Sequence, residues 1–519
     1  MEEDYTSFNT LNKRNIGDKF NFRGKVEVIR QTSGPTLIII NDGTQGFTFK
    51  AFVKPGVRAY PEINEGDYVK GTAIIYERND DIEGEVIDMQ KMSSEDIETF
   101  NNDFKNKIEE NIKPKNTEFT HNSEVLNSLR NNFIKVASII RRAVYENRPI
   151  ILRHNADCDG YVSAITLEKA IIELIKEVYG TENNLEFLNY KRAPSKAPFY
   201  EYDDAIKDLI GILLQQNRIN SKPPLIIITD NGSTEEDLLS IKQMKIYDCQ
   251  IVVIDHHFPG EVKNGRVLVD EHIDGHINPY LKGFDSNTSA GMLGFELARF
   301  VNDKVELPFY LPAVSGVADH SERKYYEFYL EKAKEEGFSE EYLRKLAEVI
   351  DAEIYYVKFS EARELIQDLF FNIQKQKKIV DLLFPDLEKR YKKLEPVIEK
   401  YSEIIELKDY RLILLNGEKA VFRGEYPAIG KTTNFIHRYF EKKFNKPIIC
   451  GVYGSFFLTI RVSDKVKNFS VPEFVKYIEK KYKYINPSGG GHEHAGSVKF
   501  IEYGQKEVLE CLKDYINNL

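Results

Sequence analysis

Tryptophan is absent from the 519 residues, and the four cysteines, Cys158, Cys249, Cys450 and Cys511, stand far apart with no CxxC pair. That spacing excludes a zinc ribbon and a disulfide framework, and it fits a reducing, cytoplasmic setting. No apolar run approaches the roughly 20 residues that cross a bilayer, so no membrane partner is expected. The opening MEEDYTSFNT is acidic and polar, without the basic-then-apolar order of a secretory signal. Negative charge exceeds positive, 82 Asp or Glu against 72 Lys or Arg for a net of −10, but the excess is uneven. From Arg411 to Phe500 sixteen Lys or Arg face seven Asp or Glu, a net of +9, which leaves −19 on the remainder. An acidic majority suited to holding cations beside a basic C-terminal region suited to gripping a polyanion is the first functional hint.

The length exceeds one hydrophobic core and predicts about three domains plus connections. Between Gly17 and Met92, five strand-like runs (KFNFRGKVEVIRQ, TLIIIND, FTFKAFV, YVKGTAIIYE, GEVIDMQKM) are punctuated by TSGP, DGTQG and NEGD. This pattern predicts an OB-like β-barrel over residues 1–95. Phe47, Phe49, Lys50 and Arg30 are its candidates for a base-stacking and phosphate-binding surface, the other reading of the aromatics being core packing. Residues 96–122 are polar and read as a linker with one amphipathic helix. Residues 123–322 alternate helical and strand patterns, which predicts a mostly parallel α/β sheet. Residues 323–408 read as a helical connector whose long helices break near Pro385 and Pro396. Residues 409–519 return to α/β, with strands in RLILLN, AVFRG, PIICGVYG, FFLTIRVS and SVKFIEY.

Within the α/β segment, VVIDHHFPG sets Asp255, His256 and His257 at the end of an unbroken apolar run. Three further stretches read as apolar strands ending in acids or imidazoles: PIILRHNADCDG with His154, Asp157 and Asp159, PPLIIITDNGS with Asp230, and LPAVSGVADHSE with Asp319. Functional groups in open α/β sheets collect outside the carboxyl ends of parallel strands, so these four ends are expected to converge. Of the ten histidines six lie within these stretches or one later motif, and His121 and His437 lie well away from them. Carboxylates with few imidazoles favour Mn²⁺ or Mg²⁺, and the Asp157–Asp159 spacing suits a pair of ions ~3.5–4 Å apart that activates water on a phosphate ester. The later motif, INPSGGGHEHAGSVKF, puts Gly489, Gly490 and Gly491 before His492 and His494, a loop whose backbone amides can approach a phosphate.

These motifs, in this order, resemble the DHH phosphoesterase superfamily, and specifically RecJ-like exonucleases with a DHH-associated C-terminal domain. The resemblance runs from about Arg130 to Leu519, and the barrel before it looks like the OB domain added in some archaeal relatives. It implies that Asp157, Asp159, Asp230, His256 and Asp319 bind metal, as two Mn²⁺ or Mg²⁺ ions, that Asp255 orients the site and that His257 meets the scissile phosphate. Gly489, Gly490, Gly491 and His492 then grip the nucleic-acid backbone, with Arg461 and Ser463 of LTIRVS as phosphate ligands. His154 is a further metal candidate, although it lies three residues before Asp157 where relatives with a full two-metal site place a histidine four before. The implied activity is single-strand-specific exonucleolytic hydrolysis of DNA or RNA to mononucleotides, of either polarity, the strand passing between two lobes. A dinucleotide phosphodiesterase or oligoribonuclease and a non-catalytic replication or RNA-processing scaffold are the alternatives, and partners in such complexes are compatible with each.

Overall fold

The computed structural model describes residues 4–78, 81–180, 189–219, 222–357, 360–407, 409–421, 424–444 and 446–518; the side chains of 215–219 and of His492 lie outside the described residues. The chain divides into two compact units, Met1–Glu340 with Phe359–Glu361, and Glu341–Lys358 with Ala362–Leu519.

The first unit opens with strands β1 (Lys19–Gln31), β2 (Thr36–Asn41), β3 (Gly46–Ala51), β4 (Tyr68–Arg78) and β5 (Asp81–Lys91), closed into a barrel in the order β1-β2-β3-β5-β4. Alternate residues of each strand face inward, and the interior is filled by Phe8, Phe20, Phe22, Phe47 and Phe49 with Val26, Ile38 and Ile40. Gly24 sits where β1 runs closest to β2: a Cβ there would meet Ile40 at 2.4 Å and the Asn41 carbonyl at 2.7 Å. The expectation of a stacking surface on Phe47 and Phe49 is corrected. The two share one face of β3 by the two-residue period, and that face is the core, so both rings are buried; Lys50 and Arg30 stay partly exposed. The helix Ser94–Asn111 in the expected linker sets Phe100, Phe104 and Ile108 against Met92 and Tyr68.

The central sheet of this unit contains β6 (Ile150–His154), β7 (Tyr190–Pro194), β8 (Leu225–Thr229), β9 (Gln250–Ile254) and β10 (Gly275–Ile277), all parallel, in the order β10-β9-β8-β6-β7. Near-continuous Ile, Leu and Val runs form these strands because both faces are covered. One face packs Leu152, Leu225, Ile227, Val252 and Ile254 against the helices Glu124–Tyr145, Cys158–Tyr179 and Ala290–Val301. The other packs Ile151, Ile226, Ile228, Ile251 and Val253 against Tyr202–Ile219 and Leu238–Ile246. His154, Thr229, Ile254 and Ile277 lie in one register row. The next residues, Asn155, Asp230, Asp255 and Asn278, therefore leave the sheet together, beside the point where the chain order reverses around β6.

One of the four expected strand ends is not a strand. LPAVSGVA lies within the helix Tyr310–Ala318, and Asp319 is its C-terminal cap. A short, wholly buried apolar run has no periodicity to separate strand from helix, and its small residues allow close contact: a Cβ on Gly316 would lie 2.7 Å from Met292 and 2.8 Å from Tyr326.

The second unit carries helices Arg363–Phe371 and Ile373–Tyr401 and a six-stranded mixed sheet. The expected breaks at Pro385 and Pro396 do not occur, since both prolines lie inside the single helix Ile373–Tyr401. Its buried face of Val380, Leu387, Leu394 and Ile398 holds the helix through two lost backbone hydrogen bonds, tertiary packing outweighing the proline penalty. Strands β11 (Glu403–Glu406), β12 (Arg411–Asn416), β13 (Ile448–Tyr453), β14 (Phe457–Val462), β15 (Ser488–His492) and β16 (Ala495–Lys499) follow in the order β11-β12-β13-β14-β16-β15. Two further expectations are corrected. EIIE is an edge strand rather than the end of a helix, because pairing with β12 supplies its backbone partners. AVFRG does not begin as a strand: Ala420 ends the helical turn Gly417–Ala420 capped by Asn416, while Phe422 and Arg423 lie outside the described residues.

Candidate metal centre

Asp157 caps the helix Cys158–Tyr179, its Oδ1 accepting from the Gly160 amide at 2.9 Å and its Oδ2 from Asn155 Nδ2 at 2.7 Å. Two residues on, Asp159 accepts from the amides of Ala290 and Gly291, each at 2.9 Å, and from the Ser315 hydroxyl. It thereby closes the first turn of the helix Ala290–Val301, where a carboxylate meets two free N–H groups and the positive end of the helix dipole. Asp230 leaves β8 with φ of 57°, a left-handed conformation held by its amide donating to the Ile254 carbonyl at 2.8 Å.

His256 joins these carboxylates: its Nε2 lies 3.3 Å from Asp230 and 3.6 Å from Asp159, and its Nδ1 is 2.7 Å from the Ser286 carbonyl and 3.7 Å from Asp319. Asp255 turns back on its own motif, accepting from the amides of His256 and His257 at 2.8 and 3.1 Å and pairing with His257 Nδ1 at 2.7 Å. Ligand atoms of Asp230, His256 and His257 all lie within 4.8 Å of one another.

Electrostatically the site is a compressed set of acids. Burial raises Asp157, and Asp159 adds to it; burial, then Asp157 and Asp159, push Asp230 well above the usual carboxylate range. Burial also lifts Asp319, to about 7, with Asp159 and Asp157 adding to it against the His256 charge that pulls it down. Burial alone would lower both imidazoles, yet Asp319, Asp230 and Asp159 raise His256 well above its ordinary value and Asp255 raises His257 to about 9. Asp255 ends well below the carboxylate range, because the two imidazoles outweigh its burial.

The residues fit a divalent cation. Neither carboxylate oxygen of the buried Asp230 has a hydrogen-bond partner among the described residues. Two buried oxygens that make no well-formed hydrogen bond, beside other acids and with His256 Nε2 3.3 Å from one of them, are costly unless a cation satisfies them. Hard oxygen donors with one imidazole are the donor set of Mn²⁺ and Mg²⁺.

His154 has both ring nitrogens engaged elsewhere. Nδ1 lies 2.7 Å from the Asn155 carbonyl, Nε2 is 3.4 Å from the Arg192 guanidinium, and the ring stands edge-on to Tyr161. In this arrangement both nitrogens face protein partners, and a metal at Nε2 would have to displace the Arg192 guanidinium.

In the second unit, Arg461 and Ser463 stand together at the end of β14. Arg461 Nε donates to Asn434, its Nη1 donates to the Ile460 carbonyl at 2.8 Å, and burial lowers its pKa to about 10. The Ser463 hydroxyl accepts from the Ile448 amide at 3.1 Å and lies 3.3 Å from His437 Nε2. Sequence reasoning leaves His437 aside and passes over Asn434. Their spacing of three on the helix Ile429–Lys443 puts them on one face, which is the signal that could have found them. Gly489, Gly490, Gly491 and His492 are not a loop but the edge strand β15, paired with β16, the turn falling at Glu493 and His494. Gly489 and Gly491 hold φ of 150° and 130°, and a Cβ would lie 2.1 Å from the Ser497 carbonyl and 2.5 Å from that of Ala495. The glycines are thus needed to lay β15 flat on β16.

A model of the DHH family, N-terminal domain, matches residues 149–310. An uncharacterized protein of Methanocaldococcus jannaschii is 37% identical over 524 residues, covering 96% of this chain and 68% of its own length. Among solved structures, a DHH domain from a member of a family of ribosomal proteins superposes with a TM-score of 0.79 at 36% identity, over 82% of this chain and 100% of that one. The manganese complex of RecJ from Thermus thermophilus gives 0.52 at 14% identity, over 81% of this chain and 58% of that one, a likeness of fold alone.

Proposed function

The chain belongs to the DHH family, and from that premise we propose that it is a metal-dependent exonuclease acting on single-stranded DNA or RNA. The observation that carries the reading is the buried Asp230 carboxylate, without a well-formed hydrogen bond, among Asp157, Asp159 and His256. Asp157, Asp159, Asp230, His256 and Asp319 would hold the cation or cations. A divalent ion bound there supplies the charge that activates water and neutralises a phosphodiester oxygen.

The remaining chemistry belongs to the chain itself. Asp255 accepts the His257 Nδ1 proton in a 2.7 Å hydrogen bond, which fixes the ring and leaves Nε2 as the face offered to substrate. Asp255 raises the His257 pKa, to about 9 without metal, which favours an imidazolium able to donate to a phosphate oxygen as negative charge builds on it. Arg461, Ser463 and the amides of β15 are the proposed backbone-phosphate ligands. A long polyanion rather than a dinucleotide accounts for the +9 excess between Arg411 and Phe500 and for an OB-like barrel on the same chain.

The test is digestion of end-labelled single strands of RNA and DNA with Mn²⁺, alongside duplex and dinucleotide controls. Wild type should shorten the single strands, and Asp230→Ala should lose at least about 100-fold of that activity. An inert wild type, or one that cleaves dinucleotides faster than long single strands, overturns the reading.

A further inference from the structure

Behind the Asp255–His257 pair lies a buried polar chain that the proposed chemistry does not use. His276 on β10 places Nδ1 2.8 Å from Asp270 Oδ1 and Nε2 2.9 Å from the Ser233 hydroxyl. Asn278, with no exposed surface, extends Nδ2 to Ser233 at 3.1 Å and to the His257 carbonyl at 3.0 Å. Its Oδ1 accepts from the Tyr280 amide at 3.0 Å, which fixes the orientation of the amide group.

Asn278 Nδ2 donates to Ser233, so the Ser233 proton points away from it, toward His276 Nε2 or toward the Asp255 carboxylate that also faces the hydroxyl. In the first orientation His276 carries its proton on Nδ1 and donates it to Asp270. The chain reads Asn278 to Ser233 to His276 to Asp270, each donor matched to one acceptor, with the second Asn278 proton spent on the peptide of His257.

Serine, histidine and aspartate in this order also match the contacts of a nucleophilic triad. That role is excluded by access, because Ser233 is 1% exposed and its oxygen already accepts from Asn278. What the chain does touch is the backbone of His257, through Asn278, and the carboxylate of Asp255, through Ser233. We propose that Ser233, His276 and Asp270 form a positioning relay that locks Asn278, and through it the His257 peptide, so that the His257 ring meets Asp255 and faces the phosphate. The inference rests on the reading of His257 given above.

Kinetics of Ser233→Ala, His276→Asn and His276→Gln on a single-stranded substrate test it, together with the low-field ring-proton resonance of His257, assigned by its loss in His257→Gln. Ser233→Ala and His276→Asn should lower kcat about 10–100-fold with KM little changed, the usual effect of losing a group that orients a ligand or catalytic side chain. His276→Gln should keep the larger share of kcat, because its longer amide reaches Ser233 whereas that of Asn reaches only Asp270. The His257 resonance should move in the first two variants. A Ser233→Ala enzyme within about two-fold of wild type, or Asn and Gln variants that lose activity equally and in step with melting temperature, overturns the relay. Where wild type degrades no oligonucleotide, a shifted resonance upholds the relay and sinks only the nuclease reading, while an unmoved resonance overturns the relay itself.

Discussion

Asp230 costs the metal-free protein stability, and the cost depends on pH. Asp319, Asp230 and His256 all hold protons in the folded chain at pH values where the unfolded chain has released them. A raised folded-state pKa contributes stability at low pH that is lost as pH rises, for the carboxylates from about 4 toward about 7 and for His256 only above about 6.5. The melting temperature without metal is therefore expected to fall across that window, and saturating Mn²⁺ should flatten or reverse the slope because the cation takes the place of the protons. Asp230→Ala should melt higher than wild type without metal and respond weakly to Mn²⁺; a variant that responds as wild type does would remove Asp230 from the ligand set. These residue types were legible in the sequence because acids and imidazoles at the ends of apolar runs have few structural uses. The state of His154 was not legible, since its partner Arg192 lies on β7 and only the parallel pairing of β6 with β7 brings the guanidinium to the ring.

At the scale of elements, strands with period-two burial or unbroken β-branched runs are legible in the sequence, and errors fall where an apolar run is short or a local rule meets a tertiary one. LPAVSGVA is helical and Pro385 and Pro396 stay inside a helix, because packing decides both and packing is not local. The glycine triplet is the instructive case: its composition says loop, yet its backbone completes a sheet. Gly489→Ala should cost about 1–3 kcal/mol, since the new Cβ collides with the Ser497 carbonyl in a backbone conformation that L-residues avoid. Urea unfolding with amide exchange on β16 checks it. Unchanged stability and protection of Ser497 and Val498 would mean that β15 does not lie where this register places it.

For the whole molecule, charge is distributed against its own total. A chain of net −10 is expected to bind single strands with the salt response of a basic protein, because the +9 excess sits between Arg411 and Phe500. A footprint that neutralises about six phosphates gives a slope of about −4 in log K against log salt for a single strand. Titration of a labelled oligonucleotide between low and moderate salt measures it, and a slope near zero would separate the basic region from binding. The charge asymmetry was visible from sequence alone. Its relation to Arg461 and Ser463 was not, because Asn434 and His437 reach them only once the helix Ile429–Lys443 packs on β13 and β14.

Asp159 spends both its oxygens on the first-turn amides of the helix Ala290–Val301. Any cation it binds must share that charge with the helix terminus, so metal affinity and helix seating are two readings of one quantity. A substitution that shifts the seating of that helix is therefore expected to change the Mn²⁺ affinity of the centre, measured by titrating the variant beside wild type.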